Sequence, residues 1–157
     1  MVKHSETRIV PYSVDLMYGV VADVEHYPDF LPWCSALRIE NRARDGDKEI
    51  VLAEMAVGFK ALRERYTSRV VLNPEAHEIS VTQTEGVFKY LKNDWRFTPE
   101  GAGNESCRVD FSIAFEFKSR LLGAIAGKAF AHVMTRMSQA FETRARQLAV
   151  KKHSKDA

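Results

Sequence analysis

Directly after Ser119 the chain stops alternating apolar and polar residues and confines its apolar side chains to a single helical stripe. Leu122, Ile125, Ala129, Phe130, Val133, Met137, Phe141 and Leu148 recur at steps of mostly three and four. Ser119 is placed to cap the start, and a helix carried to about Val150 spans about 45 Å. Upstream, from Ala36 to Phe117, the period is two. The run Arg108 to Phe117 is the clearest case: Val109, Phe111, Ile113, Phe115 and Phe117 alternate with Asp110, Ser112, Ala114 and Glu116. Breaks at Asp45-Gly46-Asp47, Gly58, Asn73-Pro74-Glu75, Glu85-Gly86 and Pro99 to Asn104 carry the residues that tight turns need. Breaks this short imply antiparallel neighbours, because a parallel pair needs a crossover of a dozen or more residues. One apolar sheet face and one long amphipathic helix have one economical arrangement, in which the sheet curls around the helix. The predicted fold is therefore α+β, a helix grip of about seven antiparallel strands around a long C-terminal helix.

The N-terminal end fits that plan. Thr7 to Val10 has strand character and is stopped by Pro11; Ser13 can cap a helix from about Val14 to Val24, with Asp15 near its positive end. In Tyr27-Pro28-Asp29-Phe30-Leu31-Pro32-Trp33-Cys34 the two prolines leave room for a turn or a second short helix. A sheet wrapped on one helix cannot fill its concave side everywhere with one row of side chains, so a cavity between helix, proline segment and sheet is the expected functional site.

With 157 residues, 45% hydrophobic and 28% charged, the chain suits one domain over residues 1–150, followed by a disordered, solvated basic tail at 151–157. A domain of this size buries enough surface to need neither disulfide nor metal. Cys34 and Cys107 lack CxxC spacing and lie in apolar surroundings, so they read as two independent buried thiols. A net charge of +2 provides no field that would pull the protein onto DNA or anionic lipid. No stretch approaches the roughly 18 apolar residues of a membrane span, and the start shows no signal-peptide core. The expected location is cytoplasmic, with any membrane contact peripheral and on the inner face.

At this point the residues resemble a known family. The ordered matches are Val10-Pro11-Tyr12-Ser13, Met17-Tyr18, Asp23-Val24, Tyr27-Pro28 and Phe30 to Cys34; then Gly86 with Phe88 and Leu91, Trp95 to Pro99, Cys107-Arg108, and Asp110 to Ser119; and on the helix Met137, Ala140-Phe141 and Arg144-Ala145. Together they cover nearly the whole chain and are similar to the coenzyme Q-binding START-like proteins, which share a broader Bet v 1-like fold with polyketide cyclases and with a bacterial ribosome association toxin. The toxin branch has Gly before the cysteine of the proline segment. Trp33 stands there in this chain, similar to the quinone-binding branch. The resemblance implies a non-catalytic quinone chaperone that binds ubiquinone and supports respiratory electron transport, with ubiquinone as a bound ligand and no covalent cofactor. The alternatives it leaves open are a ribosome-associating regulator of translation and a cyclase-like enzyme.

For the cavity wall the candidates are Phe30, Leu31, Trp33, Phe59, Tyr66, Phe88, Trp95, Phe130 and Met134, the large apolar groups of the proline segment, the sheet and the helix. A quinone head needs flat aromatic surfaces and one or two hydrogen-bond donors, and a tail needs only dry volume. The helix start from Leu121 to Gly127 is apolar nearly all round and holds two glycines that each weaken helix by about 1 kcal/mol. Leu121, Leu122 and Ile125 are therefore candidates for a mobile lid that dips into a membrane surface while lipid enters. Arg63, Arg65 and Arg69 read as the solvated exterior of the sheet, and they are also the stripe a ribosomal RNA contact would use. Catalysis finds little support: His4, His26, His77, His132 and His153 are scattered without metal-ligand spacing, and only His26, with Asp29 or Glu25, sits beside the expected cavity.

Overall fold

The computed structural model describes the backbone of residues 1–59 and 62–156, and the side chains of these residues except 59, 62, 128 and 152–156. Its element order is β1 (Val2–Val10), α1 (Val14–Ala22), a single 3-10 turn (Val24–His26), α2 (Tyr27–Phe30), β2 (Cys34–Asp45), β3 (Lys48–Phe59), β4 (Leu62–Asn73), β5 (Glu78–Gly86), β6 (Phe88–Glu100), β7 (Ser106–Phe117) and α3 (Arg120–Asp156). The seven strands form one antiparallel sheet in the order β1-β7-β6-β5-β4-β3-β2, a meander with β1 added beside β7. The predicted helix grip is the observed fold.

Local chemistry explains the elements. The Ser13 hydroxyl accepts from the Leu16 amide at 3.1 Å and opens α1, and Val14, Met17, Val20 and Val21 are its buried stripe. The helix stops at Ala22, two residues before the predicted Val24, and the chain tightens into the 3-10 turn before Pro28 enters α2 near its start. Gly58 does not break a strand as expected: β3 runs through it, and Phe59 pairs with Leu62 across the turn. Register shifts leave an extra residue at Ser35 and Glu40 in β2, at Thr84 in β5 and at Lys89 in β6. Each bends a strand and increases local twist, which is what a sheet needs to wrap a helix. Gly86 ends β5 at φ +144°, and a Cβ there would lie 2.5 Å from the Tyr66 Cβ, so only glycine lets the two strands approach.

The core lies between the concave face and the C-terminal half of α3. Val51 and Ala53 from β3, Ile79 from β5, Phe97 from β6 and Cys107 from β7 are among its most buried members. Helix α3 runs to Asp156, past the Val150 end expected from sequence; the side chains of residues 152–156 and all of residue 157, most of the predicted tail, lie outside the described residues. The buried row of α3 is Met134, Ser138, Phe141 and Ala145. The predicted stripe from Leu122 to Val133 is on the sheet side but nowhere fully buried, because much of it faces a hollow rather than packed atoms. Two polar links fix the helix to the edge strand: Ser138 Oγ donates to Glu6 at 2.6 Å, and Arg8 pairs with Glu142.

Candidate functional site

Between the sheet and α3 lie two adjoining cavities of about 190 and 160 Å3. Both are walled in part by Trp33, Tyr66, Leu91, Ile113, Val133 and Met134, so they adjoin across these six side chains as an outer and an inner chamber. Together they reach the lower end of the roughly 300–1,000 Å3 typical of small-molecule sites.

The outer chamber sits under the first turns of α3, against Ile125, Ala126, Ala129 and Phe130. Its sheet side is aromatic. Phe88 stacks on Phe117 at 4.8 Å and meets the Tyr66 ring edge-on at 5.3 Å, and Phe115 lies 5.4 Å from Phe130. The alternation of β7 and the bulge at Phe88/Tyr90 turn these rings inward. No α3 residue before Met134 is fully buried among the described residues, with Leu121 70% and Ile125 47% exposed. The helix start thus covers the chamber without being packed into the core.

The inner chamber is bounded by Tyr27, Leu31, Trp95 and Phe141, with Ser68 and Asn93 among its polar groups. Trp95 and Phe141 meet edge-on at 5.2 Å. Trp95 Nε1 donates to Asn93 Oδ1 at 3.0 Å, and Asn93 Nδ2 donates to the Ser112 carbonyl at 2.9 Å, which fixes the amide's orientation. Tyr66 donates weakly to Met55 Sδ at 3.4 Å, and Tyr27 donates to the Val21 carbonyl. Burial, which penalises phenolate, pushes the Tyr66 hydroxyl up to about 12 and raises that of Tyr27 further. Among the described residues the chamber wall carries no Asp, Glu, His, Lys or Arg.

Of the nine wall candidates, Trp33, Tyr66 and Met134 line both chambers, Phe88 and Phe130 the outer one, and Leu31 and Trp95 the inner one. Phe30 lines neither. It packs on Tyr27 and Phe141 at 5.8 and 5.4 Å with Arg144 over its ring, because the single turn of α2 points it at the C-terminal half of α3 rather than into the hollow. The Phe59 side chain lies outside the described residues. Of the lid candidates, Ile125 reaches the outer chamber, while Leu121 projects outward and Leu122 is half-buried.

Sequence reasoning missed Ser68 and Asn93. Each stands at an apolar position of an alternating run, Tyr66-Ser68-Val70-Leu72 and Leu91-Asn93-Trp95-Phe97, and that break in the pattern was the available signal. His26 stands outside both chambers. It is exposed and bonded to Asp23 at 2.8 Å, which raises its pKa. Asp23, Glu25 and His26 form the one cluster of potential metal ligands among the described residues, and Asp23 and His26 already pair with each other there. A wider open depression of about 730 Å3 crosses the outer face of the sheet, but both of its arginines are paired with carboxylates within it, Arg96 with Glu78 at 2.9 Å and Arg108 with Asp110 at 3.3 Å. The exterior arginines are likewise neutralised in part, Arg65 by Glu54 at 3.2 Å and Arg42 by Glu49 at 2.8 Å.

Residues 10–142 match the family model described as polyketide cyclase / dehydrase and lipid transport. The chain is 35% identical over 146 residues to coenzyme Q-binding protein COQ10 homolog B, mitochondrial, of Xenopus laevis; the match takes in 92% of the chain and 58% of that relative, so the chain spans little more than half its length. It is 34% identical over 151 residues to the ribosome association toxin RatA of Rickettsia prowazekii, covering 94% of the chain and 99% of the toxin. Among solved structures, an 18 kDa protein of Caulobacter crescentus superposes with a TM-score of 0.78 at 40% identity, over 95% of the chain and 99% of that protein. The Zhui aromatase/cyclase of a Streptomyces species superposes with a TM-score of 0.73 over 93% of the chain and 94% of its own, and at 18% identity it shares the fold alone.

Proposed function

The chain belongs to the polyketide cyclase / dehydrase and lipid transport family, and we propose that within it the protein is a non-enzymatic carrier that holds ubiquinone or a similar apolar lipid between the sheet and α3. The observation that carries this reading is the hollow space itself: two adjoining chambers walled chiefly by aromatic and aliphatic side chains, with no charged group among the described residues. Burying apolar surface there is worth about 25 cal/mol per Å2, and such a wall offers little to a polar substrate.

The same wall argues against a cyclase. General acid–base chemistry needs a group with a pKa near the working pH. The titratable groups facing the inner chamber are Tyr27 and Tyr66, and burial moves both away from neutrality. The coenzyme Q-binding relative supports ubiquinone as the ligand; a carrier of ubiquinone would in turn serve respiratory electron transport. No helix among the described residues is long and apolar enough to cross a membrane. The exposed Leu121 and Ile125 support peripheral contact at the inner membrane face, with the start of α3 opening as a lid and these two side chains entering the interface as lipid passes.

A second reading is ribosome association, which the RatA relative favours because the match covers nearly all of it. The ion pairs that occupy Arg65 and Arg42 weigh against a bare basic stripe. Mass spectrometry of an organic extract of the purified protein tests the carrier reading: near-stoichiometric ubiquinone or another long apolar lipid is expected, and an extract free of lipid contradicts it. Co-sedimentation with large ribosomal subunits that weakens steeply with salt would favour the second reading instead.

A further inference from the structure

We infer that the inner chamber is the head-group end of this site: it takes a neutral ring with hydrogen-bond acceptors on opposite edges, held from Ser68 and Asn93, while the apolar tail leads out through the outer chamber past Phe130 and Ile125. The inference rests on the carrier reading above and adds to it the orientation, the charge and the anchors of the ligand.

Charge comes first. A phosphate or carboxylate head placed in the inner chamber would meet no cation among the described residues, and an unpaired buried charge is far too costly to be a resting state. The head must be neutral. Hydrogen bonding then limits its type. Ser68 is 3% exposed, and its hydroxyl has no hydrogen-bond partner among the described residues. Asn93 spends its oxygen on Trp95 and one N–H on the Ser112 carbonyl, which leaves the second amide N–H. Both therefore have a donor to offer, and a head that only accepts satisfies both.

Spacing limits the shape. Ser68 pairs with Gln83 in β5, and Asn93 pairs with Val81 from the other side of that strand. The two positions thus stand two strands apart, about 10 Å laterally, and two residues apart along β5, about 12 Å in all between their backbones, a distance that the two inward-pointing side chains shorten. A six-membered ring with acceptors at opposite corners and a hydrogen bond of about 2.8 Å at each end bridges such a gap, with the Trp95 and Phe141 rings supplying flat surface. The outer chamber lacks both Ser68 and Asn93 and is walled chiefly by hydrocarbon and rings, which suits an isoprenoid tail. The chambers adjoin at six shared side chains, Trp33 and Met134 among them, and a single molecule that parts those side chains spans both.

The test titrates the delipidated full chain, by calorimetry, with a short-tail ubiquinone, with an isoprenoid hydrocarbon of the same tail lacking the head, and with the corresponding isoprenoid carboxylate, using wild type and Ser68→Ala. The inference expects wild type to bind the quinone more tightly than either comparator, and Ser68→Ala to weaken the quinone about fivefold, the scale of one net hydrogen bond, while the hydrocarbon is unchanged. Thermal melts of the ligand-free proteins confirm that the variant is folded. Equal loss for quinone and hydrocarbon, no loss for the quinone, or a carboxylate that binds as tightly as the quinone overturns the head-group assignment while the carrier reading stands. Binding of none of the three by wild type overturns both.

Discussion

Phe141 is the residue through which α3 holds both α2 and the sheet, and truncating it measures how firmly the grip is closed. Its ring is 3% exposed and lies 5.6 Å from Tyr27, 5.4 Å from Phe30 and 5.2 Å from Trp95, edge-on to all three. A buried Phe→Ala change costs about 3–5 kcal/mol. Here the inner chamber already borders the ring, so part of its surface has no contacts to lose, and Phe141→Ala should fall in the lower half, about 3–4 kcal/mol. In a domain of this size each kcal/mol moves Tm by about 2–4 °C, giving a drop of about 6–16 °C. Urea denaturation of the delipidated variant, followed by circular dichroism, reads the value directly. Phe30→Ala is the control: it touches the same cluster from a half-buried position and should cost about half as much. A loss below about 1 kcal/mol for Phe141→Ala at unchanged m-value would refute the view that α3 is anchored there.

Gly86→Ala should lower stability by at least about 1 kcal/mol, since the added Cβ meets Tyr66 Cβ at 2.5 Å and the φ of +144° disfavours any side chain; an unchanged thermal midpoint would contradict this. Cys34 and Cys107, buried and pushed up to about 11 by desolvation, should resist an aqueous thiol reagent at neutral pH until the protein is unfolded, and rapid labelling of the native protein would count against their burial. Leu121→Asp combined with Ile125→Asp places two charges on the most exposed apolar part of α3 and should reduce liposome binding and quinone loading several-fold without lowering Tm, because neither side chain is in the core. If flotation and loading assays were unaffected, the lid would be wrong.

The fold was readable because two periods that cannot be confused succeed one another: β7 alternates strictly, and five residues later Leu122 begins a stripe at threes and fours. What was not readable is the geometry that periodicity omits. Gly58 does not locate the turn, because glycine serves a close approach inside a strand as well as a turn. The aromatic richness of its segment points Phe30 at the cavity, yet one helical turn decides whether such a ring faces the hollow or the helix. Core and cavity wall share one chemistry, so Trp33 and Tyr66 could be nominated from sequence but not distinguished from Phe97, which is simply packed. Ser68 and Asn93 were legible as polar breaks in apolar runs, and their meaning depended on knowing that β4 and β6 flank β5.

The protein has two tryptophans, Trp33 and Trp95, and both line the inner chamber. Titrating the delipidated protein with short-tail ubiquinone while recording intrinsic fluorescence therefore interrogates the hollow itself. A ring seated between them should quench both in a saturable, one-to-one transition. Quenching that rises linearly without saturation, or none at all, would mean that no such ligand enters the space between sheet and helix.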